Sequence, residues 1–141
     1  MNIERLKTLR DVIAATPDEV VDLDRWQLTK DCGTIACILG WACEVPEFQA
    51  AGLKLVPHQG NPARWVPEYD LMYREFRAGA KFFGLSSDTA RLLFGQRAAD
   101  LDTENKRTGD VRTDREVALD RLDHLIKHGN FNALLPEWLH E

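Results

Sequence analysis

The uncharged segment 32–43 is the sequence feature that most constrains the fold, because it is the longest stretch of the chain without a formally charged residue. It lies between Asp31 and Glu44, in a chain in which charged residues make up 29% of the sequence. Small and apolar residues occupy nearly every turn of it, and a helix that is apolar on all sides must be surrounded by protein. We therefore predict a buried central helix over about residues 32–45, capped by Asp31 or Thr34.

The length of the chain indicates one domain around this helix, and its net charge indicates which kinds of partner are disfavoured. The 141 residues suffice for one hydrophobic core and are too few for two, so we predict a single domain over 1–141. The net charge of -5 argues against a general affinity for nucleic-acid phosphates or for anionic membranes. No stretch approaches the ~20 apolar residues of a membrane span, and residues 1–10 have no apolar signal-peptide core. We expect an acidic cytoplasmic protein with free thiols and no membrane partner.

The remaining patterns predict a mainly α-helical bundle with one small hairpin. Apolar residues recur at helical spacing, or follow a helix-capping residue, in segments 3–15, 68–83, 86–94 and 113–129. Two short strand-like pieces on either side of a turn predict a β-hairpin over about residues 53–66. Because a two-stranded ribbon is marginal by itself, we expect it to pack on the helices.

Cys32 is the candidate nucleophile of the chain. A thiol at a helix N-terminus can have its pKa lowered by the helix dipole and the backbone N–H groups. A hydrolase would also need a histidine base, which His58 or His128 could supply. However, the neighbouring carboxylate of Asp31 would raise the thiol pKa, and the flanking pattern of a papain-like enzyme is missing. We favour a small cysteine buried under a helix cap, and keep a cysteine hydrolase as the alternative function.

The cysteines and histidines do not predict a metal site. On one helix, Cys32, Cys37 and Cys43 would be separated by about 120–140°, so their thiolates could not converge on one tetrahedral ion. His124 and His128 are four residues apart and could share an ion, but the sequence places no third ligand beside them. We therefore predict neither a metal nor another cofactor.

Residues 79–94 resemble a helix-turn-helix, with Gly84 in the turn. The residues that would then face DNA include Ser86, Ser87, Asp88 and Arg91. Arg91 is the only cation among them, and Asp88 would repel phosphate. We favour a corner used for packing, with DNA binding through this segment as a second alternative function.

Trp65 is the candidate for a residue at a partner surface. It lies in segment 46–67, which holds four of the six prolines and is typical of a loop around a short hairpin. Tryptophan is more often a core residue, but an exposed one in such a segment would mark a surface that binds another protein.

Two blocks of the sequence resemble a group of small phage and bacterial proteins of unknown function. The first block is Cys32-Gly33-Thr34-x-Ala36-Cys37-x-x-Gly40-Trp41-Ala42, and the second is Phe83-Gly84-Leu85-Ser86 followed by Ala90-x-x-Leu93-Phe94. The resemblance implies a helical accessory protein of a phage or mobile element, and it supplies no activity. We therefore predict a non-enzymatic protein-interaction module with a protein partner. An accessory role that modulates a host or defence protein is a hypothesis that rests on this resemblance.

Overall fold

The computed structural model describes residues 1–23, 28–30, 33–35, 37–60, 65–95 and 112–140. Within these ranges the α-helices are α1 (Ile3–Ala14), α2 (Ile38–Ala42), α3 (Pro46–Ala50), α4 (Phe76–Phe83), α5 (Ser87–Phe94) and α6 (Asp114–His128). Short 3₁₀ helices span Asp18–Val20, Asn132–Leu134 and Glu137–Leu139. The predicted mainly α fold is confirmed.

Two small antiparallel sheets accompany the helices. The first pairs β1 (Leu28–Lys30) with β2 (Gly33–Ile35). The second has the order β3-β4-β5 and consists of Leu53–Pro57, Trp65–Tyr69 and Tyr73–Arg74. The predicted hairpin is confirmed as β3 and β4, whose register places Leu55 opposite Pro67. The structure adds β5, which extends the hairpin to three strands.

The central helix is buried, as predicted, but it is much shorter than the predicted range 32–45. Gly33–Ile35 form strand β2, and α2 begins only at Ile38. Its N-cap is Cys37, whose Sγ accepts a hydrogen bond from the backbone N–H of Gly40 at 3.4 Å. The cap is therefore not Thr34, whose β-branched side chain favours a strand. Asp31 lies outside the described residues.

Residues 68–75 do not belong to the predicted helix over 68–83. Glu68 lies in β4 and is the cross-strand partner of Arg74 in β5. Helix α4 begins only at Phe76. The Nε of Arg74 donates to Oε2 of Glu68 at 3.1 Å, and Glu68 is only 5% exposed. This ion pair across the strands competes with helix formation, because it forms only when the chain doubles back between the two residues.

Aromatic side chains fill the centre of the core. Phe48 contacts Phe82 edge-to-face with ring centroids 4.9 Å apart, and Phe82 contacts Phe83 in the same way at 5.0 Å. Helices α4 and α5 approach closely at Gly79, where a Cβ would lie 2.6 Å from Cε2 of Phe94. The turn between these helices uses Gly84 in a left-handed conformation with φ 68°. Helix α4 thus contacts both the three-stranded sheet and α5.

Candidate functional site

The turn between β4 and β5 exposes two adjacent large apolar side chains. We call residues Asp70–Met72 the apical turn. Leu71 is 79% exposed and Met72 is 72% exposed. The backbone N–H of Met72 donates to the carbonyl of Tyr69 at 3.2 Å, which closes the turn. Adjacent apolar side chains presented in this way remain available to contact another molecule.

The backbone of this turn is strained. Asp70 and Leu71 have φ of 56° and 57°, and Glu75 has φ of 56°. These three are the non-glycine residues with positive φ in the described chain, and they fall within six positions. A left-handed conformation costs a residue such as leucine roughly 1–2 kcal/mol. Clustered backbone strain of this kind persists where the surrounding structure imposes it, and it is frequent at functional sites.

Contacts on both sides of the turn hold the strained backbone in place. Nη2 of Arg74 lies 3.0 Å from Oε2 of the buried Glu68. The backbone N–H of Glu75 donates to the carbonyl of Pro67 at 2.9 Å, and these two residues are the chain neighbours of Arg74 and Glu68. Because a buried carboxylate that loses its partner is strongly destabilising, the pair fixes the register of β4 and β5 and hence the shape of the turn.

A row of cations over aromatic rings begins next to the turn. Nζ of Lys81 lies 5.2 Å and Cζ of Arg77 lies 5.8 Å from the ring centroid of Tyr73, the residue that follows the turn. Phe82 lies further along α4, and Cζ of Arg5, a residue of α1, lies 4.0 Å from the centroid of its ring. We call Arg5, Arg77 and Lys81 the cationic strip. The rings hold these charges at fixed positions through cation–π attraction.

The charges of the cationic strip are not neutralised by carboxylates of the described residues. None of its three members forms an ion pair there, whereas Nε of Arg10, for example, lies 2.9 Å from Oδ1 of Asp123. Arg77 and Lys81 are exposed to solvent. The strip is therefore a region of positive charge on a chain whose net charge is -5.

Trp65 is exposed, but the structure does not bring it to the apical turn. Its side chain is 46% exposed, and it pairs with Pro57 at the start of β4. The apical turn follows the other end of this strand, after Tyr69. At about 3.3 Å per residue the two ends of β4 are roughly 13 Å apart. Trp65 as a binding residue stays a prediction separate from the turn.

The segment 79–94 does form two helices joined by a glycine turn. Oγ of Ser86 accepts the backbone N–H of Thr89 at 3.1 Å and caps α5, so the hydroxyl of Ser86 has a structural use. Of the residues predicted to face DNA, Leu92 is half-buried, and the exposed ones are Ser86, Ser87, Asp88 and Arg91. Their formal charges cancel, which gives this face no electrostatic attraction for a phosphate backbone. DNA binding stays an alternative prediction that the charge of α5 does not favour.

The two described cysteines are poor nucleophiles. Cys37 and Cys43 are each 1% exposed. Burial raises the pKa of the Cys37 thiol to about 11, although the N–H of Gly40 opposes this effect, and burial raises the pKa of Cys43 as well. Both thiols are therefore protonated at neutral pH. Cys32, the candidate nucleophile, lies outside the described residues, so the hydrolase alternative stays a prediction.

The two candidate histidine bases lie in different surroundings. Nδ1 of His58 accepts the backbone N–H of Gly60 at 3.1 Å, so the neutral ring carries its hydrogen on Nε2 and its basic lone pair is engaged in this hydrogen bond. The ring of His128 lies against that of His124, with ring centroids 4.4 Å apart and a tilt of 40° between the ring planes. Burial and the neighbouring His128 lower the pKa of His124, whose Nε2 is buried without a hydrogen-bond partner among the described residues. The arrangement keeps His124 neutral at neutral pH.

A search of the described residues finds no group of three or more histidine, cysteine or acidic side chains that could hold a metal ion. Among the same residues, no helix has the length and apolar character needed to cross a membrane.

Sequence patterns do not predict the apical turn, because Leu71 and Met72 fit the apolar spacing of a helix over 68–83. The signal that could have found it is the tyrosine on each side of the turn, since aromatic residues favour strands and Asp70 favours a turn. The four-residue spacing of Arg77 and Lys81 is visible in the sequence. That they lack carboxylate partners among the described residues becomes visible only in the folded chain.

Comparison of the chain with protein-family models, with curated proteins and with solved structures finds no match.

Proposed function

We propose that this chain is a non-enzymatic protein-interaction module that docks on another protein through the apical turn. The observation that carries the proposal is the exposure of Leu71 and Met72 on a backbone that is strained and held in place. A preorganised turn loses little conformational entropy when it binds. Complete burial of side chains of this size contributes roughly 1.5–3 kcal/mol each, or about 3–6 kcal/mol for the two, so micromolar binding at about 8 kcal/mol also requires further contacts with the partner.

The chemistry of the two side chains also fits a protein partner. Met72 is unbranched and polarizable, and such side chains adapt to irregular apolar pockets. Asp70 is exposed beside Leu71, so the turn combines an apolar tip with a polar edge. Interfaces between proteins have this composition, with an apolar centre and a polar rim.

The biological setting that we propose is an accessory protein of a phage or mobile element that modulates a host or defence protein in the cytoplasm. The resemblance of the two sequence blocks to small phage and bacterial proteins supports this setting. A binding module without catalytic groups suits such a role, because it can act by occupying a surface of its target.

The proposal is tested by affinity capture at micromolar concentration from a bacterial lysate. The wild-type chain is compared with a Leu71→Asn/Met72→Ser double variant and with a Lys127→Ser control, which changes an exposed residue of α6. We expect the wild type and the control to capture a discrete partner protein. The turn variant should capture at least about tenfold less of that protein. Capture counts as support only when it depends on the turn. Capture of no specific partner, or equal capture by the turn variant, would contradict the proposal.

A further inference from the structure

We infer that the segment received by the apical turn is an acidic as well as apolar stretch of protein, whose carboxylates pair with Arg77 and Lys81. This inference rests on the proposed function, since it concerns the partner of the same turn. It starts from the position of Arg77 and Lys81 in the cationic strip, which lie over the ring of Tyr73, the residue directly after Met72. A partner that covers the turn therefore lies within reach of these charges.

The arrangement of Arg77 and Lys81 is unfavourable within the isolated chain. The two residues are four positions apart in α4, and both cations lie over the ring of Tyr73. Like charges at this spacing on a helix repel each other and destabilise it. An incoming carboxylate would relieve this repulsion and would form charge-assisted hydrogen bonds with both groups. The binding of an acidic segment is thus favoured, because it removes a repulsion that exists in the unbound chain.

Two neighbouring features favour a protein segment over a polyanion. The chain has a net charge of -5, so an extended polyanion such as an anionic membrane or a nucleic acid would be repelled by the chain as a whole, whereas a short acidic peptide meets only the region around Arg77 and Lys81. Asp70 is exposed on the apical turn itself and would meet phosphate groups if the turn entered such a surface. A peptide can place its carboxylates opposite Arg77 and Lys81 and keep them away from Asp70. The cationic strip would then add specificity and association rate to the apolar contact.

The test uses selection from a displayed library of random peptides on the immobilised full chain. Peptides that also bind the Leu71→Asn/Met72→Ser variant are removed by counter-selection. We expect the remaining peptides to be enriched in Asp and Glu beside Leu, Phe or Trp. For a selected peptide, Arg77→Glu/Lys81→Glu should raise Kd by at least about tenfold, with a smaller rise for Arg77→Gln/Lys81→Gln. The control Lys127→Glu should leave Kd unchanged, and far-ultraviolet circular dichroism verifies that each variant is folded.

The outcomes separate the inference from the proposed function. Turn-dependent peptides without acidic enrichment, or a Kd that the Arg77→Glu/Lys81→Glu change does not alter, would overturn the inference and leave the proposed function in place. Failure to select any turn-dependent peptide would count against the proposed function itself, and the inference would fall with it. Turn-dependent binding to phosphatidylserine vesicles or to oligonucleotides that is tighter than to every selected peptide would also overturn the inference.

Discussion

Asp70 and Leu71 occupy consecutive left-handed backbone positions, with φ of 56° and 57°, at the tip of the turn between β4 and β5. Two-residue turns with this backbone favour asparagine and glycine, because other side chains crowd the backbone there. Leu71 is also 79% exposed, so its side chain gains little packing energy within the described fold. The residue thus lowers stability locally, and the proposed docking function supplies the reason for its presence.

Replacement of Leu71 by asparagine should stabilise the protein and weaken binding at the same time. Asparagine tolerates the left-handed conformation, so we expect Leu71→Asn to raise the free energy of unfolding by about 0.5–1 kcal/mol. Urea denaturation measures this change. The neighbouring Met72→Ser substitution serves as the control and should alter stability by less than about 0.5 kcal/mol. A less stable Leu71→Asn variant would show that the leucine side chain stabilises the turn, contrary to the account.

The close approach of α4 and α5 at Gly79 predicts that one added methyl group at this position lowers the stability of the protein. A Cβ at this position would lie 2.6 Å from Cε2 of the buried Phe94, so either this ring or one of the two helices must shift. We expect Gly79→Ala to lower the free energy of unfolding by about 1–3 kcal/mol. In the control Gly60→Ala the new Cβ meets, among the described residues, the imidazole of His58 at 3.3 Å, and stability should change by less than about 0.5 kcal/mol. Equal stabilities of the two variants would refute the tight packing described at Gly79.

The buried thiol of Cys37 predicts a loss of stability in alkali. Burial raises its pKa to about 11, whereas an unfolded cysteine has a pKa of about 8.5. Its contribution to stability is therefore complete below about pH 8.5 and is lost as the pH rises through about 11, a change of about 3 kcal/mol. The raised pKa of Cys43 acts in the same direction.

Cys37→Ser provides the matched control for this alkaline transition, because serine can cap α2 through its hydroxyl and does not titrate in this range. Urea denaturation between about pH 8 and about pH 10.5 should show a smaller loss of stability in the variant than in the wild type. Identical losses would mean that the Cys37 thiol is not protected from ionisation by the fold.

The lowered pKa of His124 predicts that the stability of the protein also falls at acidic pH. Burial and the neighbouring His128 lower its pKa below the ordinary value of 6.5, and its buried Nε2 has no acceptor among the described residues. The unfolded chain therefore binds a proton more readily, so the free energy of unfolding should fall as the pH drops below about 6.5. His124→Phe keeps an aromatic ring stacked near Phe131 and cannot titrate. Denaturation at about pH 7.5 and about pH 5 should show a smaller difference for this variant, and an unchanged difference would exclude His124 as the cause.

Local capping signals were sufficient to predict several elements. Ser86 caps α5 and Thr113 caps α6, each by accepting a backbone N–H three residues later. Gly84 and Gly129 end their helices in left-handed conformations, as such glycines do in many proteins. These elements were predictable because neighbouring residues alone determine where they begin and end.

The elements that depend on distant contacts were not predictable in the same way. Apolar content alone does not distinguish a buried helix from a buried strand. For this reason the predicted central helix covers the residues that form β2. The pairing of Glu68 with Arg74 decides that the chain turns back between them, and this pairing exists only in the folded sheet. The candidate site lies in that turn. Its exposure is therefore a consequence of tertiary structure that the spacing of Leu71 and Met72 could not indicate.

The most direct test of the central claim is photo-crosslinking from the apical turn. The photoreactive residue p-benzoylphenylalanine is placed at position 72 or, as the control, at position 127 of the exposed face of α6, and cells that contain the protein are irradiated. The account predicts a discrete crosslinked protein from position 72 that is absent from position 127 and is lost when Leu71→Asn is added. No crosslinked protein from position 72, or the same species from both positions, would contradict it.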